Sequence, residues 1–137
     1  MANVVLPKVR MFIPCASIDI EPGRAPTIYA PLHTIRMPPG VSERFLLDEI
    51  WFYVVLTDGV GTFTLIVELY GMDEIVLWRS KPTQLNFVGG AQLNVKEVRV
   101  EMTSVPFARP GLYEFRLVVN HVHLEDGGTA LLRVLPG

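Results

Sequence analysis

The sequence predicts an all-β protein, an antiparallel sandwich of about eight short strands with almost no helix, and three observations carry that prediction. The first is punctuation. With 11 prolines and 11 glycines in 137 residues, turn signals recur about every 8–12 residues, too densely for helices of ordinary length. The second is parity: Tyr113, Phe115, Leu117 and Val119 alternate with Glu114 and Arg116, the period-two mark of a half-buried strand. On this reading Glu114 and Arg116 form a solvated face. The third is the run Ile50-Trp51-Phe52-Tyr53-Val54-Val55-Leu56, made wholly of β-branched, aromatic and aliphatic residues.

Taken in order, Val9 to Ile20 reads as a first strand in which neither parity is cleanly polar. Pro14 lies inside it and cannot donate to a ladder, which predicts an edge or a bulge there. After the turn Glu21-Pro22-Gly23-Arg24, Thr27 to Ile35 forms a second extended piece, broken by Pro31 and closed by Met37-Pro38-Pro39-Gly40. Ser42 to Leu47 is the one place with room for a helical turn. Glu49 to Thr57 is the strongest strand; it does not alternate, and a strand apolar on both faces is covered on both. The glycine-rich loop Thr57–Thr62 leads to its hairpin partner, Phe63 to Tyr70, which buries Phe63, Leu65, Val67 and Leu69. Gly71-Met72-Asp73-Glu74 then turns into Ile75–Arg79, ended by Lys81-Pro82, with Gly89-Gly90 punctuating a looser section.

Leu93 to Met102 is the next strand, with Val98, Val100 and Met102 on one face and Glu97, Arg99 and Glu101 on the other. Pro110-Gly111 launches the strand from Tyr113, an aromatic start that fits a tyrosine corner: ring in the core, hydroxyl bonded to upstream backbone. The chain returns either through Asn120-His121 or through the sharper signal Asp126-Gly127-Gly128, and Leu131–Leu135 closes the sheet.

Length predicts one domain over residues 1–137. Hydrophobic residues make up 50 % and charged residues 19 %, below the usual quarter. That apolar surplus calls for burial against another copy or another protein, so a homo-oligomer is expected. No run approaches the length of a membrane-spanning helix. A net charge of −2 and scattered arginines exclude a nucleic-acid footprint. The first residues lack a signal-peptide pattern, and the single cysteine, Cys15, excludes an intramolecular disulfide; both point to a cytoplasmic location, with a virion as the alternative.

Three stretches resemble a family of small bacterial and phage domains of unknown function with an immunoglobulin-like sandwich. They are Met11-Phe12-Ile13-Pro14-Cys15, the segment from Phe63 to Gly71, and Pro110-Gly111-Leu112-Tyr113-Glu114-Phe115 followed by Leu132-Arg133-Val134. That family often has an acidic residue after the cysteine, where this chain has Ala16, with Asp19 further on. The resemblance implies an immunoglobulin-like fold, with Pro110, Gly111, Tyr113 and Phe115 as its motif. It implies no catalytic residue and no cofactor.

Among residues able to do chemistry, His121 and His123 stand two apart, so on one strand both would face the same way and grip one metal ion, with His33, Glu125 or Asp126 as a third ligand. Partly solvated histidines flanking a hairpin account for the same pattern. Cys15 sits in an apolar stretch without a basic neighbour, as a buried small hydrophobe does. Asp48-Glu49 and Asp73-Glu74 are adjacent at strand starts and so point to opposite faces, as solubilising charges do. Gly59-Val60-Gly61 has no helix after it to cradle phosphate. The remaining candidates are aromatic. If Ile50, Phe52 and Val54 face inward, then Trp51, Tyr53 and Val55 form an outward apolar stripe, and with Trp78 they are the expected contact surface. Self-association is preferred to a sugar-stacking platform. The function expected is that of a non-catalytic module acting through protein contacts; the alternatives are carbohydrate binding, a structural part of a virion or surface, or a metal enzyme using His121 and His123.

Overall fold

The computed structural model describes residues 4–41, 44–87 and 95–137. Among them the chain forms eleven strands and no helix: β1 (Lys8–Asp19), β2 (Thr27–Pro31), β3 (Thr34–Arg36), β4 (Phe45–Thr57), β5 (Gly61–Tyr70), β6 (Val76–Arg79), β7 (Thr83–Phe87), β8 (Lys96–Phe107), β9 (Gly111–Val119), β10 (Val122–His123) and β11 (Thr129–Leu135). A four-stranded sheet in the order β2-β1-β4-β8 packs on a seven-stranded sheet in the order β3-β11-β9-β5-β6, with β10 beside β9 and β7 beside β5. The β4–β8 pair faces β11-β9-β5-β6, so the two sheets form an open, sandwich-like arrangement. In the smaller sheet β1 lies between β2 and β4.

The core lies between the sheets. Ile50, Phe52, Val54 and Leu56 of β4 meet Phe63, Leu65, Val67 and Leu69 of β5 and Phe115, Leu117 and Val119 of β9, all buried. Phe52 is the keystone: it stacks on Phe12 at 5.6 Å and meets Phe115 edge-on at 4.9 Å between ring centroids. Tyr113 closes one end as a tyrosine corner. Its ring is edge-on to Phe107 at 5.0 Å, and its hydroxyl donates to the Arg109 carbonyl at 2.6 Å.

The extra strands have local causes. Pro31 cannot continue a ladder, so the extended piece from Thr27 divides into β2, in one sheet, and β3, which runs parallel to β11 in the other. Ser80 interrupts the strand after Arg79, bonding Val67 through both backbone and hydroxyl, while Lys81 N–H turns to the Glu101 carbonyl of the facing sheet. Both expected return turns are used. Asn120 (φ 47°) and His121 (φ 67°) make a two-residue hairpin into β10, and the chain turns again before β11.

The expected helical turn does not form at Phe45–Leu47, which start β4: Phe45 pairs with Phe107 and Leu47 with Val105. Stacking of Phe45 on Phe107 at 5.4 Å outweighs weak local propensity. Ser42 and Glu43, like Gly89-Gly90, lie outside the described residues. Pro14 sits inside β1 between two neighbours, not at the expected edge or bulge. Its carbonyl accepts from Leu32 N–H at 2.8 Å on the β2 side, so its nitrogen faces that side too. Pro14 accepts there but cannot donate back, and the β2 ladder begins only at Cys15–Pro31. The bulge in β1 falls elsewhere, between Val9 and Met11.

Candidate functional site

The structure places the four expected contact residues in three different settings. Tyr53, on the outer face of β4, is only 4 % exposed. It forms a second hydrophobic cluster with Cys15 and Ile18, against which Ile13, Ile20, Ile28, Trp51 and Val55 are partly buried. The stripe is therefore not bare: the chain covers it with its own β1–β2 hairpin. The cause is the length of β1, whose ladder with β4 ends at Cys15–Trp51 while the strand runs on to Asp19. Arg99, opposite Tyr53 on β8, reaches across β4 to donate to the Ile18 carbonyl at 3.4 Å, and its guanidinium lies 5.8 Å from the Trp51 ring centre. The Tyr53 hydroxyl donates to Glu97, and burial first, then that carboxylate, pushes its pKa up to about 12.

Trp78 belongs to the other sheet. It is 41 % exposed on β6, and its indole N–H donates to the Thr103 carbonyl at 2.8 Å. With the Lys81–Glu101 ion pair at 2.9 Å, it caps the outer edge of β8.

The histidines do not converge. His121 occupies the tip of the β9–β10 turn, so it does not share a strand face with His123. His123 Nε2 bonds the Gly128 carbonyl at 3.2 Å and Thr129 Oγ1 at 3.0 Å, whereas His33 bonds its neighbour Thr34. Among the described residues no group of three His, Cys, Asp or Glu side chains is placed to hold a metal ion. Cys15 is fully buried, and burial pushes its thiol up to about 11.

The outer face of the seven-stranded sheet holds what the sequence reading passed over. Glu114 and Arg116 do not form an ordinary solvated face. The Arg116 side chain is 17 % exposed, donates to Glu114 and to Glu74 at 2.6 Å each, and lies over the Tyr70 ring at 3.9 Å from its centre. Neighbouring Glu68 accepts from the Tyr70 hydroxyl at 3.1 Å and from Arg79 at 2.8 Å. Strand register explains the row, since Glu68 is paired with Arg79 on one side and Arg116 on the other. Each charge thus has opposite-charge neighbours across the strands, the arrangement that lets Glu68 and Arg116 lie low on the sheet. The hydrogen bond to Glu114, opposed by burial and helped by Glu74, holds the Arg116 guanidinium above its ordinary pKa.

Beside this row lies an apolar patch. Met72 is 76 % exposed, Leu131 54 % and Leu112 46 %. The three line one hollow of about 210 Å³ together with Glu74 and Glu114; Met72 and Leu112 also border a second, of about 200 Å³, beside Arg109. A Cβ at Gly111, φ 152°, would lie 4.0 Å from the Met72 sulfur. The signal for this surface was present in the parity: Leu112 alternates with Tyr113 and so shares the face of Glu114.

No protein-family model matches the chain, and no curated protein matches it. The family resemblance therefore extends to the architecture alone, an all-β domain of two packed sheets.

Proposed function

We propose that this domain is a non-catalytic module that works by protein contact, pairing with a second copy of itself through the outer face of β9 and β11. The observation that carries the reading is the clustering of Met72, Leu112 and Leu131, exposed side by side next to the paired charges Glu74, Glu114 and Arg116. Charge selects the occupant. Arg133 pairs with Leu112 in the ladder, is exposed, and has no carboxylate partner among the described residues. On the far side of the patch, the Glu74 side chain is 69 % exposed. An isologous pairing would bury the apolar side chains at its centre and leave Arg133 at the rim to meet a carboxylate of the other copy, Glu74 among the candidates. The apolar share of the composition, 50 %, supports the same reading.

Light scattering coupled to size-exclusion chromatography tests it. The expected result is a dimer that Leu112→Lys or Leu131→Glu converts to a monomer, while Trp51→Lys leaves it intact. A wild-type monomer at millimolar concentration sinks the proposal.

A further inference from the structure

Independently of the pairing surface, we infer that residues 16–31 are a strap that lifts as a unit from the outer face of the four-stranded sheet while the sandwich stays folded, exposing Cys15, Trp51 and Tyr53.

Backbone pairing sets the limits of the strap. Beyond Cys15–Trp51, β1 bonds only β2, so the ladder from Cys15 to Asp19 ties the strap to itself. The turn bond from Arg24 to Glu21 is internal as well. Below it, the Leu32–Pro14 bond anchors the returning chain to the body. Among the described residues, the polar contact between strap and body is the 3.4 Å bond from Arg99 to the Ile18 carbonyl. The rest of the attachment is three isoleucines, Ile18, Ile20 and Ile28, laid on the second cluster. No residue from 16 to 31 belongs to the main core, so the sandwich loses none of its own packing when the strap lifts.

The hinge is strained in the closed state. Ala30 has φ 49° and precedes Pro31, a left-handed conformation that neither an alanine nor a pre-proline position favours. Lifting frees Ala30 to relax, which biases this joint toward opening. Cys15 then serves as the native reporter. Closed, it is wholly buried and its thiol is held unreactive by burial; open, it has ordinary thiol chemistry.

The experiment is alkylation of the intact protein by a maleimide in native buffer, beside the global unfolding rate from denaturant jumps. Cys15 is expected to react faster than the molecule unfolds. Ile18→Ala should accelerate labelling by about tenfold or more, and Arg99→Ala, which keeps every strap side chain, should accelerate it severalfold. Val67→Ala, which weakens only the main core, should leave the labelling rate within about twofold. Labelling that tracks global unfolding, or that Val67→Ala accelerates as much as Ile18→Ala does, overturns the inference, as does a thiol that stays unlabelled until the molecule unfolds.

Discussion

The two sheets treat their outer faces in opposite ways. On the four-stranded sheet the outward residues of β4 are apolar, Trp51, Tyr53 and Val55, and the chain hides them beneath its own hairpin. On the seven-stranded sheet the outward face of β5 and β9 carries the paired charges Glu68, Glu114 and Arg116, and three large apolar side chains stand bare beside them. Residue type alone points to the first face as the more exposed apolar surface; what lies above each face leaves the second one bare. Exposure belongs to the tertiary neighbourhood as much as to the side chain.

The comparison can be broken most forcefully at the core that both faces share. Phe115→Ala removes the ring against Phe52 and should destabilise the whole molecule by about 3–5 kcal/mol in a denaturant melt. Both sheets should unfold in that one transition, apart from any earlier lifting of residues 16–31; separate unfolding of the two sheets would mean that they do not share one core. A sharper contrast sets Ile18→Ser against Leu131→Ser, two aliphatic residues on opposite outer faces. Ile18, 8 % exposed, should cost about 2 kcal/mol or more. Leu131, exposed, should change monomer stability by no more than about 0.5 kcal/mol. Equal losses would erase the distinction between a covered face and a bare one.

The smallest effect at neutral pH comes from Tyr53. Its folded pKa is raised from 10.0 to about 12, so the native state holds the phenolic proton more tightly than the unfolded chain does. That contribution is fully present below pH 10 and is lost as pH rises through about 12. Ultraviolet titration should find a tyrosine ionising near that upper value, absent in Tyr53→Phe, and the variant should lose less stability than wild type across the same window. An ordinary titration of all four tyrosines would show that the hairpin does not bury this ring.

Much of the architecture was legible in the chain. Alternation from Tyr113 to Val119 named the inward residues of β9, and the aromatic after Pro110-Gly111 marked the tyrosine corner that the Arg109 carbonyl completes. Loss of alternation in β4 meant cover on both faces, as the two hydrophobic clusters demonstrate. The charged row was harder to foresee. Glu114 and Arg116 look like any solvated pair until register sets Arg116 beside Glu68, and until the turn after Gly71 brings Glu74 to it. Sequence spacing offered a turn at Asn120-His121 only as one of two alternatives, and the fold uses both, which takes His121 off the strand that holds His123.

Local chemistry by itself determined the class of this protein: proline and glycine spacing, strand parity and β-branched runs act between near neighbours and leave room only for short strands around one apolar layer. The tertiary structure alone decided what covers that layer's outside. Whether Tyr53 meets solvent depends on β1 outrunning its ladder with β4, and whether Leu112 stays bare depends on no strand among the described residues crossing β9 and β11. Both are contacts between segments far apart in the chain, where pairing register and packing choose the partner and local propensity has no say.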